Sequence, residues 1–139
     1  MRFMFAILSA LLLAGPGAAQ DVPESIFRDY DHMRQVLDDN IMRRDIVTTM
    51  RAFGASDEMT DEELAGLQRR VEEIFPRNFV NVDVLKVNDM GNGWRQEMYA
   101  YWVGTSYLYA YLFMHDQGDR MVAVHFQFNT DFVELNGNF

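Results

Sequence analysis

Apolar residues recur along this chain first at helical spacing and then at strand spacing, and the change of period divides it into two halves. After Pro23, a residue suited to a first helical turn with Asp21 as its cap, Ile26, Tyr30, Met33, Leu37 and Ile41 form a stripe three to four residues apart. Arg28, Asp31, Arg34 and Asp38 fall on the opposite side, which predicts a solvated face. Asp38-Asp39-Asn40 is expected to end this helix, and Met42, Ile46, Met50 and Phe53 begin a second stripe that stops at Gly54. A third helix is signposted by a capping box: Thr60 followed three residues later by Glu63, with Met59 placed to staple against Leu64. Asp61, Glu62 and Glu63 fill the first turn, where the helix dipole favours anions, and Leu64, Leu67, Val71 and Ile74 make its apolar seam.

From Phe79 onward the period is two. Val80, Val82 and Val84 alternate with Asn81 and Asp83, after which Leu85 and Val87 take the opposite parity. That switch predicts a bulge at Val84-Leu85 in a strand running from Phe79 to Val87, followed by a polar loop from Asn88 to Gly93. Three aromatic and β-branched runs follow, Trp94 to Val103, Tyr107 to His115 and Arg120 to Asn129, each predicting a strand. Closing the Asp116–Asp119 turn with His115 opposite Arg120 sets Tyr107 against Phe128, Tyr109 against Phe126, Tyr111 against Val124 and Phe113 against Val122. The helices are expected to cover this aromatic face, because large rings gain most from burial. Leu108, Ala110, Leu112, Met114, Met121 and Ala123 would then form a flat aliphatic patch suited to a twofold homodimer through the sheet, unless the tail from Thr130 to Phe139 folds over it. The fold class is therefore α+β: two or three N-terminal helices packed on a curved antiparallel four-stranded meander.

The N-terminus changes the picture of where the protein works. Arg2, the apolar run from Phe3 to Leu13 and the small-residue stretch from Ala14 to Ala19 read as a secretory signal peptide, too short to span a bilayer permanently. Cleavage after Ala19 leaves residues 20–139 as a single α+β domain, periplasmic or secreted and not held in a membrane. With no cysteine, neither disulfides nor a lipid-bearing cysteine can contribute, so stability must come from a hydrophobic core. The formal charge of −9 disfavours nucleic acid and anionic lipid as partners.

The order of elements resembles the cystatin-like group, which includes the nuclear-transport-factor-2-like and ketosteroid-isomerase-like domains. The resemblance runs from about Pro23 to Phe132. It is carried by the helices between Ile26 and Phe53, the switch at Val84-Leu85 and the aromatic strands between Trp94 and Asn129. It implies helices packed across a curved sheet around a conical pocket; a further strand that the fold usually places between its helices is not found in this sequence.

Candidate chemistry is sparse. His125 lies mid-strand and Asp83 lies in the first strand; together, or with a tyrosine, they are the candidates for an isomerase- or dehydratase-type proton transfer in a cone-shaped pocket. Glu97 is a second carboxylate set among apolar neighbours. No cofactor motif, phosphate loop or metal-ligand spacing is present. Trp94, Tyr99, Tyr101, Trp102, Tyr109 and Tyr111 are the candidate lining of an apolar ligand pocket. The leading expectation is a non-enzymatic exported domain that binds a small apolar molecule or a protein partner; the proton-transfer enzyme is the alternative.

Overall fold

A computed structural model describes residues 24–139; the expected signal peptide and the helix start expected at Asp21 and Pro23 lie outside them. The described chain is α+β. In order it forms β1 (Ile26–Phe27), α1 (Tyr30–Met42), α2 (Ile46–Ala52), α3 (Asp61–Ile74), β2 (Asn81–Gly91), β3 (Trp94–Val103), β4 (Ser106–Asp116), β5 (Met121–Asn129) and α4 (Phe132–Asn136). The strands make one antiparallel sheet in the order β1-β5-β4-β3-β2. The meander of four expected strands is present, joined at one edge by the short β1.

Local chemistry explains most boundaries. The first helix begins not at Pro23 but at Tyr30, because Asp29 caps it by accepting from the His32 N–H; Ile26 belongs to β1. Nor does the helix end at Asp38-Asp39-Asn40. It runs on to Met42, and the break comes where Arg44 adopts φ +60° and Asp45 caps α2 by accepting from Thr48. Asn40 stays inside α1, its amide donating to the Val36 carbonyl. The capping box of α3 forms as its sequence predicts, with both reciprocal bonds between Thr60 and Glu63 in place.

β2 extends four residues beyond Val87, to Gly91, and the expected loop shrinks to the pair Asn92-Gly93, both with positive φ. Asn-Gly is the pair that a tight hairpin with right-handed strand twist selects. Gly93 is also pinned by crowding: a Cβ there would sit 2.3 Å from the Asp116 carbonyl oxygen. Asp116 donates its N–H to the Gly93 carbonyl at 2.8 Å, which ties the β2–β3 turn to the end of β4. The bulge expected at Val84-Leu85 is there, as a register shift between Val84 and Lys86.

The β4–β5 register differs from expectation and so does the face the helices take. Asp116 pairs with Met121 and His115 with Val122; beyond a bulge that leaves Val124 unpaired, Phe113 pairs with His125, Leu112 with Phe126 and Ala110 with Phe128. A bulge inserts one residue, and one residue reverses every side chain beyond it. Phe126 and Phe128 are thereby turned to the face of Leu112 and Ala110, and the helices take that face, where Leu108, Ala110, Leu112, Met114, Met121 and Ala123 join Met33, Leu37 and Ile41 in the main core. The aliphatic set is buried in the monomer and leaves no flat patch for the expected dimer. Tyr109, Tyr111 and Phe113 lie on the outer face, where α4 and Phe139 cover part of them around Met98 and Leu135.

Candidate functional site

The inner face of β3 carries Arg95, Glu97, Tyr99 and Tyr101 at strand alternation. Facing it, α1 presents Tyr30, Arg34 and Asp38, four residues apart and hence on one side of the helix. The two rows interlock. Tyr30 donates to the Glu97 carboxylate, 2.8 Å from Oε2 and 3.0 Å from Oε1, while Arg34 donates to the Tyr30 hydroxyl at 3.2 Å. Arg95 donates twice to Glu97 Oε1, through Nε at 3.0 Å and Nη2 at 2.8 Å, and Tyr99 donates to Oε2. Arg34 also lies 4.2 Å over the Tyr99 ring and bonds Asp38, whose Oδ1 accepts from Tyr101 at 2.6 Å.

Glu97 is 1% exposed, and a carboxylate so buried persists only when its lone pairs are filled by donors and its charge is matched. Two carboxylates and two guanidiniums balance within the ladder. Burial, and then the neighbouring carboxylate, hold the Tyr99 and Tyr101 phenols well above the ordinary tyrosine value. Burial raises Tyr30 as well. For Arg34 burial opposes the charge, but its bond to Tyr30 and the field of Asp38 outweigh it and keep the guanidinium ionised. Its Nε is the one buried side-chain polar atom without a hydrogen-bond partner among the described residues.

Next to this ladder a cleft of about 430 Å³ opens at the end of the sheet that holds the β2–β3 turn. Tyr30 and Arg95 belong to both, so the ladder supplies part of the cleft wall; half-buried Trp94 contributes apolar surface, with the buried Met114 and Met121 behind, and Asp89 and Asp116 contribute acidic groups. Arg95 remains about two-fifths exposed although two of its donors hold Glu97.

The residues singled out in the sequence are scattered by the fold. Trp94 lines this cleft, with its ring stacked on His115 at 3.9 Å. Tyr99 and Tyr101 are buried in the ladder and line no cleft. Trp102 and Tyr109 lie on the outer face beside Asp83, in a groove of about 350 Å³ that Phe132 closes. Tyr111 is buried beneath Leu135 and Phe139, accepting from Gln96 at 2.8 Å. No single pocket gathers the six aromatic residues. His125 is exposed on β5 and Asp83 on β2, with two strands between them, so three interstrand spacings, roughly 14 Å, separate them. They share a sheet face without converging, and neither lines the cleft at the β2–β3 turn. His125 and Asp83 are thus not brought together in one site.

Arg34 and Asp38, read as a solvated helix face, instead touch the sheet. The usable signal was the coincidence of Tyr30, Arg34 and Asp38 at four-residue spacing with Arg95, Glu97, Tyr99 and Tyr101 at two-residue spacing: each row alone looks like surface, and together their charges match.

No known protein family, curated protein or solved structure matches the chain.

Proposed function

We propose that the protein is an exported, non-enzymatic binding domain whose ligand site is the cleft at the β2–β3 turn. The observation that carries this reading is the state of Glu97. Three side chains donate to its buried carboxylate, which holds Tyr30 and Arg95 where they form the cleft wall. Donors fixed in advance favour binding, since little ordering cost remains when a ligand arrives. A general base would need an accessible acceptor within reach of the reacting atom, which this ladder does not offer. The wall chemistry suits a small molecule with an apolar body against Trp94 and an acceptor group facing Arg95. The likeness to the cystatin-like group belongs to the same proposal and rests on helices preceding an antiparallel meander.

The test uses 1-anilinonaphthalene-8-sulfonate, an apolar ring system with one anionic acceptor, titrated into the folded protein and followed by its fluorescence. One saturable site is expected, weakened about tenfold by Arg95→Gln, the loss of one charge-assisted contact. Because Arg95→Gln also withdraws donors from Glu97, Met121→Glu provides a second disruption at the cleft. Binding unchanged by both substitutions refutes the assignment.

A further inference from the structure

The two edges of the sheet are unlike. β1 is two residues long, a blunted edge of the kind that resists strand addition. β2 is eleven residues long, occupies the other end of the sheet, and has no neighbouring strand on its outer side among the described residues. Val80, Val84, Leu85, Val87 and Met90 are all exposed along it. Its ionic groups are Asp83, Lys86 and Asp89. The bulge decides which of them share a face. Asp83 pairs with Ala100 and Lys86 with Met98, both outer-face positions, although three residues separate them and a regular strand would put them on opposite faces. By the same shift Val82, opposite Tyr101, and Val87, opposite Glu97, both lie on the inner face.

We infer that β2 is a homodimerisation edge, pairing antiparallel with β2 of a second copy about a twofold axis that passes between Val84 and Leu85. In that register Asp83 faces the partner's Lys86 and Lys86 faces the partner's Asp83 on the outer side. Val82 faces the partner's Val87 within the inner face. Away from the bulge residues at the axis, each side chain meets one of its own face and opposite charge meets opposite charge, as a self-complementary, isologous contact requires. Centring the axis on Lys86 instead sets the two ammonium groups against each other and Asp83 against the partner's Asp89, a repulsive arrangement. Pairing Lys86 with the partner's Asp89 joins residues of opposite faces. In the monomer Asn136 accepts from Lys86 Nζ at 2.6 Å, and the ammonium sits 4.5 Å from the Phe139 ring centroid. An ammonium has three donors, so others remain for a carboxylate across the axis.

Sedimentation equilibrium of the purified protein over a micromolar range tests this, with circular dichroism confirming the fold of each variant. A reversible monomer–dimer equilibrium is expected. Asp83→Lys should weaken it by at least about tenfold, and the exchange Asp83→Lys with Lys86→Asp should restore most of the loss, because the pairs re-form with signs reversed. Leu85→Lys, which places like charges at the axis, is an independent disruption that leaves the Lys86–Asn136 bond in place. A protein monomeric throughout the range overturns the inference, including one whose edge is filled by residues 1–23 or by an added peptide. So does a dimer indifferent to Asp83→Lys and Leu85→Lys, or a folded charge-exchange variant that stays monomeric.

Discussion

The inner and outer faces of the same sheet solve burial in opposite ways. On the inner face β4 contributes slender side chains, Leu108, Ala110, Leu112 and Met114, while the tyrosines there, Tyr99 and Tyr101, come from β3 and end on carboxylates. On the outer face Tyr109, Tyr111 and Phe113 are roofed in part by a short tail helix and Phe139, and Tyr107 stays exposed. Ring size alone does not decide which residues go under the helices. Each inner-face phenol enters the closed layer with a carboxylate built in to accept from its hydroxyl, whereas the outer-face Tyr111 is buried with its hydroxyl accepting from Gln96. Charge and volume are thus distributed together: the ladder lets two large tyrosines stand between α1 and the sheet, and the small residues of β4 leave room for the helices beside them.

The largest effect expected from breaking this contrast is at Glu97. Glu97→Ala leaves Arg95, Tyr30 and Tyr99 facing an empty acceptor site and should cost about 3–5 kcal/mol, read from urea unfolding midpoints; a loss under 1 kcal/mol would show that water replaces the carboxylate. Next comes Leu112, which has no exposed surface: Leu112→Ala should cost about 3 kcal/mol by transfer and cavity formation. Its neighbour Phe113→Ala, on the partly roofed outer face, should cost only about 1 kcal/mol despite the larger group removed. Reversal of that ranking would mean the outer face is the tighter of the two.

Alkali should then separate the tyrosines. Because Tyr99 and Tyr101 ionise higher when folded than the ordinary value of 10.0, their contribution is whole below pH 10 and is lost as pH rises beyond it, when only the unfolded chain releases its protons. Stability should fall by up to about 1.4 kcal/mol per pH unit for each of the two, and Tyr99→Phe should make the decline shallower.

What was legible in the sequence was whatever short-range chemistry decides alone. The Thr60–Glu63 box fixed one helix start, the parity switch in β2 located a bulge, and the run from Trp94 to Val103 is β3 end to end. Asn92-Gly93 was legible too, as a hairpin pair, but was read as part of a loop. The β4–β5 pairs differ from expectation on both sides of the bulge, because the turn pairs Asp116 with Met121; the bulge at Val124, which no change of parity in Val122, Ala123 and Val124 marks, further reverses the face of Phe126 and Phe128. The ladder was half visible: Glu97 stood out among apolar neighbours, whereas Arg34 and Asp38 look like surface until β3 is set against α1. Pairings made across the whole chain leave no local trace.

That separation has a kinetic meaning. Tyr30 meets Glu97 across 67 positions of sequence and Asp38 meets Tyr101 across 63, so the bonds that orient α1 close two of the longer loops in the molecule. Loop closure is an entropic cost met before any contact is made, and topologies rich in such contacts fold in milliseconds to seconds. The adjacent hairpins β2–β3 and β3–β4 need no such search. The meander is therefore positioned to assemble first and serve as the template on which α1 docks, so that the site joining Tyr30 to Arg95 comes into being only with that long-range docking.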